Sequence, residues 1–336
     1  MTTVSVLIPC FNARPWIAEA IESALAQTWP ATEVIVVDDG STDGSLDVIK
    51  QYEGRIRWET GSHRGGNGAR NRLLELSTGE WLQYLDADDY LLPKKLEHQL
   101  TFIPHSDADV VCSPVKLRCE RLSPVEHLTH IPEPHNDPWV LLARWWLPQT
   151  GGALWKRSTV LEVGGWKLDQ PCCQEHELYA RLLMNGATFV IADECHSVWR
   201  DWSVAGTVST RDSAEVRRRR LAILDGMEQF LLKGGRLTPA RRQAVNQARF
   251  EIARGTWNMD RAASAAIMQQ VRASQPSFRG EPPAANTLYR IMFRLVGFQL
   301  TEFAARVKRA CQSRRIASGH TMSLGTGGRD TSGSVN

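Results

Sequence analysis

Two acidic clusters give this sequence its clearest chemical signal. Asp86-Ala87-Asp88-Asp89 places three carboxylates within four positions. Like charges so close disfavour their joint ionisation. A divalent cation relieves that cost. Oxygen donors suit Mg²⁺ or Mn²⁺, ions that also take phosphate oxygens from a substrate. The second cluster is Asp38-Asp39-Gly40-Ser41-Thr42-Asp43. Its Asp, Ser and Thr side chains suit the cap of a following helix equally well. A solvated capping turn accounts for either cluster taken alone. As a pair they say more, because each follows a β-rich apolar run and they lie 48 residues apart.

The runs around the clusters predict what must position them. Val4–Ile8 and Glu33–Val37 read as buried strands, with further strands over Ile56–Glu59 and Trp81–Leu85. Pro15 opens a helix whose Trp16, Ile17, Ala20, Ile21, Ala24 and Leu25 share one face. A second helix is expected over Gly44–Tyr52, and a third over Ala69–Leu76 after a flexible Gly65–Gly68 loop. Pro93 starts another. Strand–helix alternation with short connections predicts an α/β fold, a mostly parallel sheet flanked by helices. Ligands of such sheets bind beyond the carboxyl ends of the strands, which is where both clusters fall.

Charge divides the chain in two. Residues 1–210 carry 18 Lys/Arg against 28 Asp/Glu, and residues 211–336 carry 22 against 9. We expect a catalytic domain over 1–212 and a helical subdomain over 213–274. A Pro-rich linker (275–285), a basic amphipathic helical segment (286–315) and a disordered tail (316–336) follow. Seven cysteines without zinc-type spacing suggest reduced thiols and a cytoplasmic setting. No signal peptide and no membrane span are expected.

The ordered motifs resemble family 2 glycosyltransferases of the GT-A, Rossmann-like fold. The resemblance rests on Val4–Asn12, Val36–Gly44, Gly68-Ala69-Arg70-Asn71 and Tyr84–Asp89, and extends over about residues 3–205. It implies an inverting transferase using a nucleoside-diphosphate sugar, UDP-linked first, and a saccharide or lipid-linked acceptor. It also implies roles. Pro9 and Phe11 line a base pocket, with Asn12 in the same nucleotide-binding set. Asp39 bonds the base, Arg70 approaches base or phosphates, Asp86 sits by the ribose, and Asp88 holds the metal (Mn²⁺ or Mg²⁺). The family's Glu-Asp before a Leu-x-x-Arg-Leu helix becomes Gln174-Glu175 here. Glu175 is the expected general base, its pKa raised in a cleft, and His176 is the rival.

Several assignments stay broader. Gly152 and Trp166 lie in loops that border the acceptor in the resembled family. Trp139, Trp145, Trp146 and Trp166 could stack on sugar faces or pack a core. Trp202 stands where relatives carry a His, which leaves Arg200 or Arg211 to hold phosphate. The basic C-terminal segment is either a packed subdomain or a peripheral contact with the inner face of a membrane. No nucleic-acid module is present. The alternatives to a transferase are a nucleotide-binding protein of the same fold without turnover, or a sugar nucleotidyltransferase. The latter normally carries a Gly-rich loop after the first strand, and Pro9–Pro15 has no glycine.

Overall fold

The computed structural model describes residues 1–119, 127–130, 137–201 and 213–321. Arg211, Trp202 and the tail beyond 321 therefore lie outside the described residues.

The first unit, Met1–Val245, begins with β1 (Val4–Cys10), α1 (Ile17–Leu25), β2 (Thr32–Asp38), α2 (Ser45–Lys50) and β3 (Arg57–Thr60). α3 (Gly66–Leu76), β4 (Trp81–Tyr84), β5 (Tyr90–Leu91) and α4 (Lys95–Leu100) follow. Then come β6 (Val110–Cys112), β7 (Val115–Cys119), β8 (His127–His130), α5 (Pro138–Ala143) and β9 (Ala153–Lys156). α6 (Arg157–Glu162), α7 (Gln174–Met184), β10 (Phe189–Ile191), β11 (Ser197–Asp201) and α8 (Ser213–Lys233) complete it.

Seven strands form the main sheet in the order β10-β6-β9-β4-β1-β2-β3. Its pairings are parallel except where β9 runs against β4 and β6. β1 is apolar along its length and lies between two parallel neighbours, so both its faces are buried. A second sheet, β5-β11-β7-β8, runs its last long strand back beside the 86–89 segment.

Strand order dictates where the site must be. The chain winds from β1 through β2 to β3 on one side, then returns to place β4 on the other side of β1. Ligands of open α/β sheets bind at such a reversal. Asp38-Asp39 ends β2 and Asp86–Asp89 follows β4, so the two clusters flank the end of β1. Packing fixes this frame. Ile17, Ala20, Ile21 and Ala24 bury the stripe of α1 expected from their spacing. Ile17 and Ile21 are fully buried, each worth about 1.5–3 kcal/mol relative to exposure.

Three local expectations are corrected. α3 starts at Gly66, so Gly65–Gly68 is a helix entry and not a flexible loop. Each α3 turn that begins early brings Asn67 and Arg70 inward, where both are buried. α1 begins at Ile17, two residues past Pro15. α2 is shorter than expected, with Gly44 before it at φ 89° and Asp43 accepting the Ser45 N–H.

The second unit, Asn246–Asn336, holds most of α9 (Pro239–Thr256), then α10 (Arg261–Ser274) and α11 (Thr287–Thr321). The compact division thus falls inside α9, and α8 belongs to the first unit, where Phe230 stacks on Trp139 at 5.7 Å. The expected linker at 275–285 is packed: Phe278, Gly280 and Ala285 are buried, and a Cβ on Gly280 would lie 2.7 Å from the Phe250 ring. α11 continues through 316–321, which the sequence reading assigned to the tail. It is two helices in effect. Gly297 breaks it at φ 77°, ψ 177°, a conformation open essentially to glycine alone. Phe298 then turns into a ring cluster with Phe250, Trp257 and Phe293.

Candidate active site

Beyond the carboxyl end of β1 lies a cleft of about 210 Å³. Pro9, Phe11, Asn12, Asp39, Arg70, Asp86 and Asp88 all border it, so the nucleotide and metal set gathers in one place. Cys10, Ala13, Trp16, Gly66, Ala69 and Ala87 complete the lining, and Trp16, expected on the apolar face of the first helix, instead borders the cleft.

The β1–α1 loop is pinned to the loop after β2. Asn12, at φ 50°, accepts the Thr42 N–H at 2.9 Å and donates its own N–H to Ser41 at 2.9 Å. Ala13 and Arg14 donate to Ser45 and Asp43. The second cluster therefore does cap, but it also anchors the wall of the cleft. Asp38 is buried and accepts from Thr60 at 2.7 Å. Asp39 is buried too, and its carboxylate accepts the N–H groups of Arg64 and Gly65 at 2.7 and 2.9 Å. His63 Nδ1 stands 2.8 Å from the same carboxylate, and its ring stacks on the exposed Phe11 at 4.1 Å. Sequence reasoning missed His63, because no spacing rule ties it to Phe11 or Asp39.

Arg70 is the hub. One guanidinium nitrogen donates to Asp86 Oδ1 at 2.7 Å, the other to Gln174 Oε1 at 2.7 Å and Asn67 Oδ1 at 3.2 Å. Its plane lies 4.9 Å from the Trp166 ring centre. Burial opposes its charge, but Asp86 more than compensates, and its pKa is raised above the ordinary arginine value. The turn carrying Trp166 is specific. Gly164 and Gly165 both have positive φ, a Cβ on Gly165 would lie 2.6 Å from Asn71 Oδ1, and Asn71 bonds both backbone groups of Trp166.

In the Asp86–Asp89 segment the three carboxylates part company. Asp89 is buried and accepts the Arg200 N–H at 2.9 Å, so it braces the loop. Asp88 lines the cleft, and burial together with neighbouring Asp86 pushes its carboxyl up to about 6. A cation beside it would favour the ionised form. One or two carboxylates plus substrate oxygens and water is an ordinary shell for Mg²⁺ or Mn²⁺, so the residues present fit such an ion. His98, Glu194 and His196, none of which lines the cleft, are the one group of three ligand types within 4.8 Å among the described residues.

The base region differs from expectation. Glu175 is the second residue of α7, whose cap is Cys173 at φ 56°, a conformation that costs a non-glycine residue about 1–3 kcal/mol. Burial pushes its pKa up, but His176, with Nδ1 at 3.3 Å, and Arg70 outweigh this and lower it. The raised pKa expected from sequence is thus corrected to a lowered one. His176 is buried, stacked on Trp145 at 3.8 Å. Arg220 covers the Trp145 ring at 4.4 Å.

Burial corrects two further assignments and bears on a third. Trp166 is 2% exposed and presents no face to a sugar. Gly152 is buried, and a Cβ there would lie 2.5 Å from Pro148, so the position is closed to any side chain. Arg200 is buried, pairs with Glu19, donates to the Asp88 carbonyl at 3.1 Å and covers Tyr90 at 4.9 Å. It holds the acidic loop in place and offers nothing to a phosphate. Glu19 could not be linked to it from sequence, since it sits on the polar face of α1.

Comparison with known proteins bears on this geometry. Residues 5–159 match the family model described as glycosyl transferase family 2. The chain is 37% identical over 134 residues to a putative teichuronic acid biosynthesis glycosyltransferase, TuaG, of Bacillus subtilis, covering 39% of this chain and 53% of that one. It is 36% identical over 105 residues to WfaP of Escherichia coli, named a UDP-Glc:alpha-D-GlcNAc-diphosphoundecaprenol beta-1,3-glucosyltransferase, covering 31% and 42%. These matches span about half or less of each relative. The structure of S. aureus TarS 1-349 in complex with UDP-GlcNAc superposes with a TM-score of 0.56 at 15% identity, over 82% of this chain and 91% of that one. That likeness concerns the fold. Taken with the four motifs gathered around one cleft, the match places residues 5–159, within a chain of GT-A fold, in glycosyl transferase family 2.

Proposed function

We propose that the chain moves a sugar from a nucleoside diphosphate, UDP by first choice, to a hydroxyl of a saccharide or lipid-linked acceptor, with inversion. The carrying observation is the Arg70 hub, which ties Asp86 of the donor cleft to Gln174, the residue before Glu175. This contact between distant parts of the chain supports a reading in which donor and base share one locus. The UDP-GlcNAc complex of TarS supports a UDP-sugar donor, and the activity for which WfaP is named supports both a UDP-sugar and a lipid-linked acceptor.

In this reading Phe11 packs on the base, Asp39 bonds it, Asn12 keeps the pocket wall in shape, and Asp86 with Arg70 orients the ribose and diphosphate. Asp88 holds Mn²⁺ or Mg²⁺, which would neutralise charge on the departing diphosphate. Glu175, ionised at neutral pH, accepts the acceptor hydroxyl proton. The freed oxygen bonds to the anomeric carbon as the bond to the diphosphate oxygen breaks. No helix of the described residues is long and apolar enough to cross a membrane. We place the chain in the cytoplasm, meeting a lipid-linked acceptor through peripheral contact of α11.

Calorimetric titration with UDP, with and without Mn²⁺, tests the donor site. Manganese-dependent binding should vanish in Asp88→Asn. Glu175→Gln should keep UDP binding and slow UDP release from UDP-sugars about 10²–10⁴-fold, the usual worth of a general base. If UDP, GDP and dTDP bind under no metal condition, the transfer reading fails. If Glu175→Gln turns over normally, another group is the base.

A further inference from the structure

The largest cavity of the second unit, about 560 Å³, is lined by Arg272, Arg279, Arg290 and Arg294, with Phe278 and Phe293 also in its lining. No acidic residue lines it. Four guanidinium groups around one space repel each other unless an anion joins them. Arg272, Arg290 and Arg294 have no acidic partner among the described residues. Guanidinium forks suit phosphate oxygens, and the volume lies within the range of small-molecule sites.

The surroundings narrow the ligand further. Ile291 is both a lining residue and 51% exposed. Leu288 and Leu295 share its helical face at 58% and 75% exposure, and Leu300 and Phe303, beyond the Gly297 break, are exposed as well. A soluble anion has no use for this apolar surface. An amphiphile uses both, with its phosphate among the arginines and its chains beside the leucines.

We infer that this cavity seats the phosphate headgroup of an anionic phospholipid while α11 lies on the bilayer. The inference rests on the peripheral contact proposed above and gives it a site, but it does not depend on the transfer chemistry. A membrane-surface helix needs both terms, buried apolar area and attraction to anionic lipid.

Full-length protein is sedimented with vesicles of phosphatidylcholine alone and of phosphatidylcholine with phosphatidylglycerol. We expect binding to the second only. The double variant R290Q/R294Q should weaken it about 30-fold, from the usual worth of two basic residues at an anionic surface. L295S/L300S should weaken it as well. K50Q/K233Q, which removes two exposed charges elsewhere, should change it less than about 2-fold. Circular dichroism and UDP titration of each variant report folding and the donor site separately. The inference fails if the charge control falls as far as R290Q/R294Q. It also fails if both vesicle types bind alike, or if pyrophosphate or an oligonucleotide binds the arginines while vesicles do not. Wild type that binds UDP but no vesicle would sink this inference and leave the transfer reading standing.

Discussion

Replacing Arg70 by Met tests the hub directly. The substitution keeps an apolar stem of similar length and removes the guanidinium. Three interactions go with it. The bond to Gln174 at 2.7 Å has a charged donor and is buried, worth about 1.5–3 kcal/mol. The ion pair with Asp86 is shorter on value, because that side chain is 33% exposed and screened by water, so about 1 kcal/mol is the fair figure. The Trp166 face adds about 1 kcal/mol. These terms share one group and do not sum, so the expected loss is about 3 kcal/mol, against total stabilities of about 5–15 kcal/mol. Urea unfolding followed by tryptophan fluorescence reads the loss. Arg70→Lys should recover about half, since an ammonium keeps charge but cannot span both partners. Combining Arg70→Met with Gln174→Ala should give a coupling of at least about 1 kcal/mol. A loss under about 0.5 kcal/mol, or no coupling, would refute the claim that Arg70 joins the two halves of the site.

Two other perturbations probe the scaffold. Lys95 is fully buried with an unpartnered amine, and burial holds its pKa well below the ordinary lysine value. As pH falls through about 10.4 the unfolded chain takes a proton that the folded chain does not, so stability falls with falling pH until the buried amine itself titrates. Lys95→Met should therefore stabilise by about 1–4 kcal/mol at neutral pH, the range seen when buried charges become hydrophobes, and should flatten the alkaline slope. Urea midpoints at neutral and alkaline pH decide this, and a destabilised variant would show that the amine has a partner. Gly297→Ala forces a side chain into φ 77°, ψ 177° and should cost about 1–3 kcal/mol. Thermal unfolding of the C-terminal unit checks it, and an unchanged midpoint would mean that α11 can straighten without loss.

Legibility in the sequence followed the range of the interactions. Period-2 and period-3.6 patterns gave the strands around β1 and the buried stripe of α1, because a face must hide its apolar side chains whatever surrounds it. The two acidic clusters at strand ends were legible for the same reason, and the resemblance added Pro9, Phe11, Asn12 and Arg70, which border the same cleft. Roles that depend on distant partners were not. Arg200 is drawn inward by Glu19, 181 positions away, and Asp89 by the Arg200 backbone, 111 away. Trp166 reads as a sugar platform until Arg70 is seen to cover it. The lowered pKa of Glu175 depends on His176 Nδ1 facing it, a rotamer that composition does not encode. The second, mixed sheet was missed because its strands are short and lie between irregular stretches.

The hub also sets an order of assembly, offered as a hypothesis. Arg70 reaches Asp86 across 16 residues and Gln174 across 104. Closing the longer loop costs about 1.7 kcal/mol more in chain entropy. On a ribosome the longer span also arrives later, by about 5–20 s at ordinary synthesis rates. The donor half would then stand alone first, with the Arg70–Asp86 pair holding it shut, and α7 would dock onto a finished surface. Protection of β1 and β4 amides before those of α7 in pulsed hydrogen exchange is the signature, and the reverse order would contradict it. Nucleotide capture would thus predate, in the life of each molecule, the arrival of the group that makes capture productive.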